Sequence, residues 1–501
     1  MRPIIVSFLI LGIYITGISQ TGPGGVGSSG SNVLWLEADN IIGLVDENDV
    51  TTWLDGSGNN NNLSQPNSLL APIYKSNILN GLPAVRCNKP NGRIRKTGFT
   101  TFPTTSVTEI YVNANTESND GILSYASTAS DNDFLLYNSN NLNIYRGINV
   151  SSGISFNDDS FHIVNASWKS SDGSTELWKD GIQTYTTTGH QTGTSITTGG
   201  CFALAGEQDA VDASYDDAQA HFGDFTEVMV FNTYLNTAQH IIVTNYLAAK
   251  YNLTISNDYY TYQDTHGFDV AGIGREDASN IHTTAMSADV LQIQNVGGLN
   301  LDQEYLLFGH DNGDINTNWI TTETPNGGNN IMRLAREWRL DETGDIGTVD
   351  FLVDIAQMPA LPVGHTMYAL MVDSDGDFSN GASVYELGLV AGTNYDAVNI
   401  NINDGDYIAI AAVEPKIAHT LSSSSGFEPN NAIINISLNF IARTPKTVNV
   451  TTLDGTALVA QPDYTSITGS KIIIPAGNSS ENYTVIVNND IIVEPSETFS
   501  V

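Results

Sequence analysis

The chain is 501 residues long and strongly acidic, with 55 Asp and Glu against 19 Lys and Arg and a formal net charge of −36. Such a field repels phosphate backbones, and no basic patch interrupts it, which argues against a nucleic-acid partner. The length calls for two to four domains, and the same field favours divalent cations wherever carboxylates converge.

Met1-Arg2 gives a short positive start, and an apolar run follows from Ile4 to Ile18. The run is too short to span a bilayer comfortably and fits a signal peptide over residues 1–20. No later apolar stretch is long enough to be a transmembrane segment, so the chain is expected to be secreted or on the outer cell surface. Residues 21–32, rich in Gly and Ser, read as a flexible leader. Cys87 and Cys201 are the two cysteines. They are either a disulfide between neighbouring strands or two buried thiols, and no metal-ligand spacing accompanies them.

Strand-like periodicity dominates from residue 33 onward, punctuated by turns rich in Gly, Asn and Asp. The pattern predicts an all-β chain of antiparallel sandwiches, with one helix over Thr237–Tyr251. Asn236 or Thr237 caps that helix, and Val243, Tyr246 and Leu247 share a face before Asn252 ends it. The first block covers 33–255. It contains Val33-Leu34-Trp35-Leu36-Glu37-Ala38-Asp39, Trp53-Leu54-Asp55-Gly56-Ser57-Gly58-Asn59, Leu177-Trp178-Lys179-Asp180-Gly181, the run from Gly223 to Asn232, and Tyr246-Leu247-Ala248-Ala249-Lys250-Tyr251.

In that order these segments resemble the laminin G-like, concanavalin A-like jelly-roll domains of secreted Bacteroidetes surface proteins. The resemblance implies two curved sheets with any ligand on a concave face or at the rim. Jelly-roll folds host lectins and glycoside hydrolases alike. A glucanase-type E-x-D-x-x-E is approached by Glu207-Gln208-Asp209-Ala210-Val211-Asp212, but the third acid is Asp and the surroundings read as a polar loop. A calcium-binding or solvated acidic loop is the expectation there, with no catalytic residue. Glu227 is expected to be structural, Trp53, Trp168 and Trp178 to be core, and Asp55 and Asn59 to serve a turn.

Residues 256–413 form a second β-sandwich block, marked by Phe268–Asp277, Tyr305–Asp311 and Arg336–Leu340. It resembles an uncharacterised β-rich domain that trails laminin G-like modules, a likeness that brings no activity with it. Gly272-Ile273-Gly274 lacks the context of a dinucleotide fingerprint. Asp373, Asp375 and Asp377 alternate through a tight turn and are calcium candidates against a plain hairpin turn. His282 and His310 stand without metal-ligand companions.

A linker, 414–426, holds the tract Ser422–Ser425 and leads to the last block, 427–501. Asp463-Tyr464, then Asn489-Asp490 through Glu494, Glu497 and Phe499, resemble the Calx-beta module, an immunoglobulin-like sandwich. Because the pattern runs to Val501 in mid-strand, the module is expected to be incomplete. In calcium-binding members of that family acids at one pole hold the ion, which maps onto Glu428, Asp463, Asp490, Glu494 and Glu497. The expected function is noncatalytic binding or adhesion outside the cell, directed at glycan or protein ligands, with Ca2+ as the cofactor. A polysaccharide-degrading glycoside hydrolase and a structural spacer are the alternatives.

Overall fold

The computed structural model describes residues 21–90, 92–297, 299–421, 430–489 and 495–501. The chain is nearly all β, arranged as sandwich sheets in succession. The first two sheets have eight strands each. One is ordered Ile182–Thr187, Ser174–Lys179, His162–Lys169, Ser106–Asn115, Gly223–Phe231, Leu82–Cys87 and Ile73–Leu79, with Asn32–Glu37 also pairing to Gly223–Phe231. The other runs from Ile148–Ser151 through Asn143–Arg146, Phe134–Tyr137, Gly121–Ala126, Gly200–Leu204 and Ile94–Phe99 to Leu63–Ser64 and Thr52–Trp53.

The strand Ser106–Asn115 shows how sequence fixes the layers. Val107 and Tyr111 enter the core between the two sheets, while Ile110 and Val112 face outward onto a second apolar cluster. A strand covered on both faces reads as a continuous apolar run and loses the alternation of a half-exposed one. Trp53 and Trp168 are fully buried and Trp178 nearly so, each in one of these two clusters.

The outward cluster is built around the helix Thr237–Tyr251. Asn236 and Gln239 form a reciprocal capping box at its start, and Asn252 closes it in the left-handed conformation with φ 51°. The sequence pattern predicts this element with the same ends. Its surroundings differ from a helix lying beside one sandwich, because it is covered on both sides. Ile241, Ile242 and Leu247 share a cluster with Met229 and Phe231 of the first sandwich and with Val270, Tyr305 and Leu307 of the second.

The second sandwich pairs a seven-stranded sheet with a five-stranded one, and Leu306, Phe308, Trp338 and Phe351 lie in its core. His282 and His310 are both buried in it. His282 donates Nε2–H to the carbonyl of Gly25 at 3.0 Å, and His310 lies 2.9 Å from Asp269. Beyond it, Ile417–Leu421, Ala432–Leu438 and Ser480–Val485 form a three-stranded sheet, with two-stranded pairs beside it. In Ala432–Leu438, Ile434 and Ile436 alternate into a small core with Tyr464, Ile472 and Val485. Phe440 and Ala442 dock on Met371 and Phe378 of the second sandwich. No helix among the described residues is long and apolar enough to cross a membrane.

The two cysteines lie on different sheets, so the neighbouring-strand disulfide is not formed. Cys87 is in the core of the first sandwich, paired with Gly223, while Cys201 is on a strand of the other sheet between Thr97 and Ala126. Both are free and buried. Burial, before any neighbouring charge, pushes the Cys87 thiol well up and the Cys201 thiol up to about 12, which keeps both from forming the nucleophilic thiolate. The expected result is no alkylation of the native protein by iodoacetamide and two alkylated cysteines after denaturation, read by intact mass.

Candidate functional site: an acidic cluster on the outer face of the first sandwich

In the second sheet, Phe134, Leu136, Ile144 and Leu204 enter the core. Period-two geometry therefore turns Leu135, Tyr137, Asn143 and Tyr145 to the outer face. Tyr137 pairs in register with Asn143, and Leu135 with Tyr145. The Tyr137 and Tyr145 rings meet edge to face at 6.1 Å, and the Tyr137 hydroxyl donates to Asn119 Oδ1 at 2.6 Å.

After Leu204 the chain passes through Gly206 into a hairpin, Gln208–Ala210 against Ala213–Tyr215. The segment expected to be a polar loop is thus a small sheet, and distant residues hold it. Gln208 Nε2 donates to Ser124 Oγ at 2.9 Å and to the Cys201 carbonyl at 3.1 Å. Arg95 pairs with Asp212, and the Arg93 guanidinium lies 3.5 Å over the Tyr215 ring. Asp212, the third acid of the glucanase-like spacing, is therefore engaged by a cation.

Glu207 enters this hairpin 4% exposed. Its Oε2 is buried and has no hydrogen-bond partner among the described residues. Burial first, then the charges of Asp209, Asp131 and Asp216, push its carboxyl up to about 7. Those three aspartates are exposed at the rim. Gly121 permits the close approach: a Cβ there would fall 2.6 Å from Glu207 Cβ. Beside Gly121, Asp120 accepts from His221 Nδ1 at 2.6 Å, from Ser139 Oγ at 2.7 Å and from Ser139 N at 2.8 Å. This buried pair fixes the turn on which Glu207 rests.

The donor set around Glu207 is all oxygen, which suits a hard cation such as calcium and not a thiophilic metal. An orphaned buried carboxylate oxygen facing like charges is the feature a divalent cation would relieve. As placed, no three His, Cys, Asp or Glu side chains among the described residues are grouped to hold a metal ion. Asp131, Asp216, Tyr137 and Tyr145 are absent from the sequence-based candidates, because only the pairing of distant strands brings them to Glu207.

Asp373 Oδ1 accepts from the backbone N–H of Asp375 and Gly376, Asp375 from that of Asp377, and Asp377 from Ser379 N and Oγ. Their alternate spacing thus serves successive turns of the backbone. In the last block, Tyr464 stacks on Phe499 with centroids 4.5 Å apart, bringing the Asp463 and Glu497 segments side by side. Asp463 is 6% exposed; its Oδ2 accepts from Leu458 N at 2.6 Å, and its Oδ1 is buried without a partner among the described residues. Glu428, Asp490 and Glu494 lie outside the described residues, as do the 1–20 segment and Ser422–Ser425.

Glu227 is structural, as the resemblance to laminin G-like domains implies. It is fully buried and accepts from Trp35 Nε1, Tyr246 and Tyr251 hydroxyls and Lys250 Nζ, all within 2.7–3.0 Å. Asp55 accepts the backbone N–H groups of Trp35, Ser57 and Asn61, a turn role.

A family model described as the Pentaxin family matches residues 101–264, a span that includes Glu207 and the long helix. A second, described as a domain of unknown function (DUF8202), matches residues 239–406. No curated protein matches the chain. Among solved structures, the native heptameric SAP-like pentraxin of Limulus polyphemus is 21% identical, with 31% of this chain and 76% of that chain covered and a TM-score of 0.27. Domain 4 of AbnA, an extracellular arabinanase of Geobacillus stearothermophilus solved with arabinotriose, is 11% identical over 43% of this chain and 98% of that one, TM-score 0.31. The binding domain of Paraclostridial Mosquitocidal Protein 1 is 9% identical over 76% and 97%, TM-score 0.32. The first sandwich is a concanavalin A-like jelly roll.

Proposed function

We propose that this chain is a noncatalytic binding protein of the cell exterior. Its ligand surface is the outer face around Glu207, and calcium is the cofactor there. The observation that carries this reading is the buried Glu207 carboxylate, with one oxygen unpartnered and three further acids raising its pKa. Calcium at this point would neutralise the repulsion and leave coordination positions for ligand hydroxyls or carboxylates. Glu207 with the rim acids Asp209, Asp131 and Asp216 supplies the negative field that draws the ion, and since no three of them are grouped for a metal as they stand, the exposed aspartates would have to close on Glu207 to hold it. Tyr137 and Tyr145 beside it offer ring faces on which the apolar face of a sugar can stack, so a glycan is favoured over a flat protein partner. The match to a pentaxin model over this span supports a calcium-dependent binding role. A second, weaker calcium site is proposed at the C-terminal acids Asp463, Asp490, Glu494 and Glu497, with Glu428, on the strength of the orphaned Asp463 Oδ1.

The test is a thermal melt and a glycan array in millimolar calcium and in chelator. A ligand that binds only the folded state at a hundredfold excess over Kd adds about 2.7 kcal/mol, which moves a domain of this size by a few degrees. Glu207→Gln with Asp209→Asn should abolish both glycan capture and the shift of the first transition, while Asp463→Asn should affect only the C-terminal one. Equal melting in calcium, magnesium and chelator, or capture unchanged by chelator, would falsify the calcium reading.

A further inference from the structure

The Gly/Ser-rich segment before the first strand is not a loose leader where it meets the fold. Pro23, Gly24, Gly25 and Val26 are buried. Val26 joins the cluster of Ile241, Ile242, Val270 and Leu307. Three internal hydrogen bonds shape the segment, Gly22 N to the Gly27 carbonyl, Gly25 N to the Gly22 carbonyl and Val26 N to the Pro23 carbonyl. Its glycines answer to its surroundings. Gly24, Gly25 and Gly27 have φ of 67°, 73° and 79°, a region that side chains other than glycine enter with strain. On one side, a Cβ at Gly24 would lie 3.3 Å from Ile242 Cγ2 on the long helix. On the other, a Cβ at Gly25 would lie 2.6 Å from Ala285 Cβ and 3.1 Å from Ala271 Cβ on the second sandwich. His282 completes the seat by donating to the Gly25 carbonyl at 3.0 Å. Burial brings the pKa of His282 down to about 4, which keeps it neutral at ordinary pH.

We propose that the groove between the helix Thr237–Tyr251 and the strands of residues 268–287 is a peptide-binding seat, and that its ligand is the chain's own segment 22–27. Seated, the segment acts as a clamp that holds the first and second sandwiches in one orientation. The groove selects a Gly-Pro-Gly-Gly-Val backbone because two walls, one from each sandwich, leave room for no side chain between Pro23 and Val26. The direct bond from Asn236 Nδ2 to the Ile281 carbonyl is one further tie across the same boundary. Loss of the clamp should therefore loosen the boundary without unfolding either sandwich.

The test is amide hydrogen exchange on the full chain carrying Gly25→Val, with Gly30→Val, outside the seat, as control. Exchange over residues 281–286 and 240–246 should quicken at least about tenfold, while His162–Lys169 and Glu304–His310 keep their protection. A synthetic peptide Thr-Gly-Pro-Gly-Gly-Val-Gly in excess should restore slow exchange to a chain that begins at Ser28. Unchanged exchange in both Gly25→Val and the shortened chain would overturn the clamp. So would loss of protection throughout both sandwiches, since the segment would then be a part of the common core.

Discussion

Glu227→Ala is expected to lower the unfolding free energy of the first sandwich by about 3–5 kcal/mol, the range for removing one partner of a buried, hydrogen-bonded ion pair. The substitution strips four donors at once: Trp35 Nε1 at 2.7 Å, the Tyr251 hydroxyl at 2.8 Å, and the Tyr246 hydroxyl and Lys250 Nζ at 3.0 Å. Lys250 retains Glu37 at 2.8 Å and Asp39 at 3.1 Å, so its charge is not wholly abandoned. Of the three neutral donors, only the Tyr251 hydroxyl has another acceptor in reach among the described residues, the Thr226 carbonyl at 3.4 Å, while the Trp35 and Tyr246 donors lose their carboxylate partner. Each buried group left unpaired costs about 1–3 kcal/mol, and the cavity adds to that. Glu227→Gln should do less harm, since one oxygen still accepts, yet its amide now faces an ammonium. Urea denaturation followed by tryptophan fluorescence measures both. A loss under about 1 kcal/mol for the alanine variant, the scale of an exposed pair, would contradict the network's role.

What the sequence makes legible follows from how local its causes are. The long helix announces itself because its cap residues, Asn236 and Gln239, and its stop, Asn252, are all within the element. The tryptophans are assigned to the core from strand periodicity alone. The hairpin at Gln208–Tyr215 escapes notice because nothing in its own polar composition favours a strand; Ser124, Cys201, Arg93 and Arg95 hold it from elsewhere. Composition also misleads at residues 22–27. Glycine there marks close approach and positive φ, not slack, and a single sequence cannot tell the two apart. At Asp373–Asp377 the alternate acids suggest converging ligands, whereas the same short polar side chain is equally suited to catching a backbone N–H two residues on. The acidic cluster is half legible. Glu207 and Asp209 stand out in the chain, while Asp131 and Asp216 become their neighbours only through the sheet.

Glu109→Met is expected to stabilise the first sandwich, by an amount that grows with pH. Glu109 pairs in register with Ala166 and Val230, both core residues, so its side chain enters the space between the sheets. It is 1% exposed, and neither carboxyl oxygen has a hydrogen-bond partner among the described residues. The Tyr111 hydroxyl, two residues along the same face, is likewise buried and unpartnered. Burial alone raises the Glu109 pKa well above 4.5. The folded state therefore binds its proton more tightly than the unfolded state does. With a raised folded pKa, the native protein is least burdened below about pH 4.5 and loses stability as pH climbs toward the folded value, with a slope of up to about 1.4 kcal/mol per pH unit. Glu109→Gln removes that slope but leaves an amide unsatisfied. Glu109→Met removes the polar atoms as well and should gain about 1–3 kcal/mol even at pH 5. Other buried acids, Glu37 and Glu207 among them, titrate in the wild type too, so the quantity to measure is the difference between variant and wild type at each pH. Urea midpoints taken between pH 5 and pH 8, where the unfolded chain's carboxyl is ionised and the raised folded pKa favours the proton, should show that difference widening for both variants. A constant offset for Glu109→Gln across that range would mean that the carboxyl is solvated in the folded state and that the core admits water at this point.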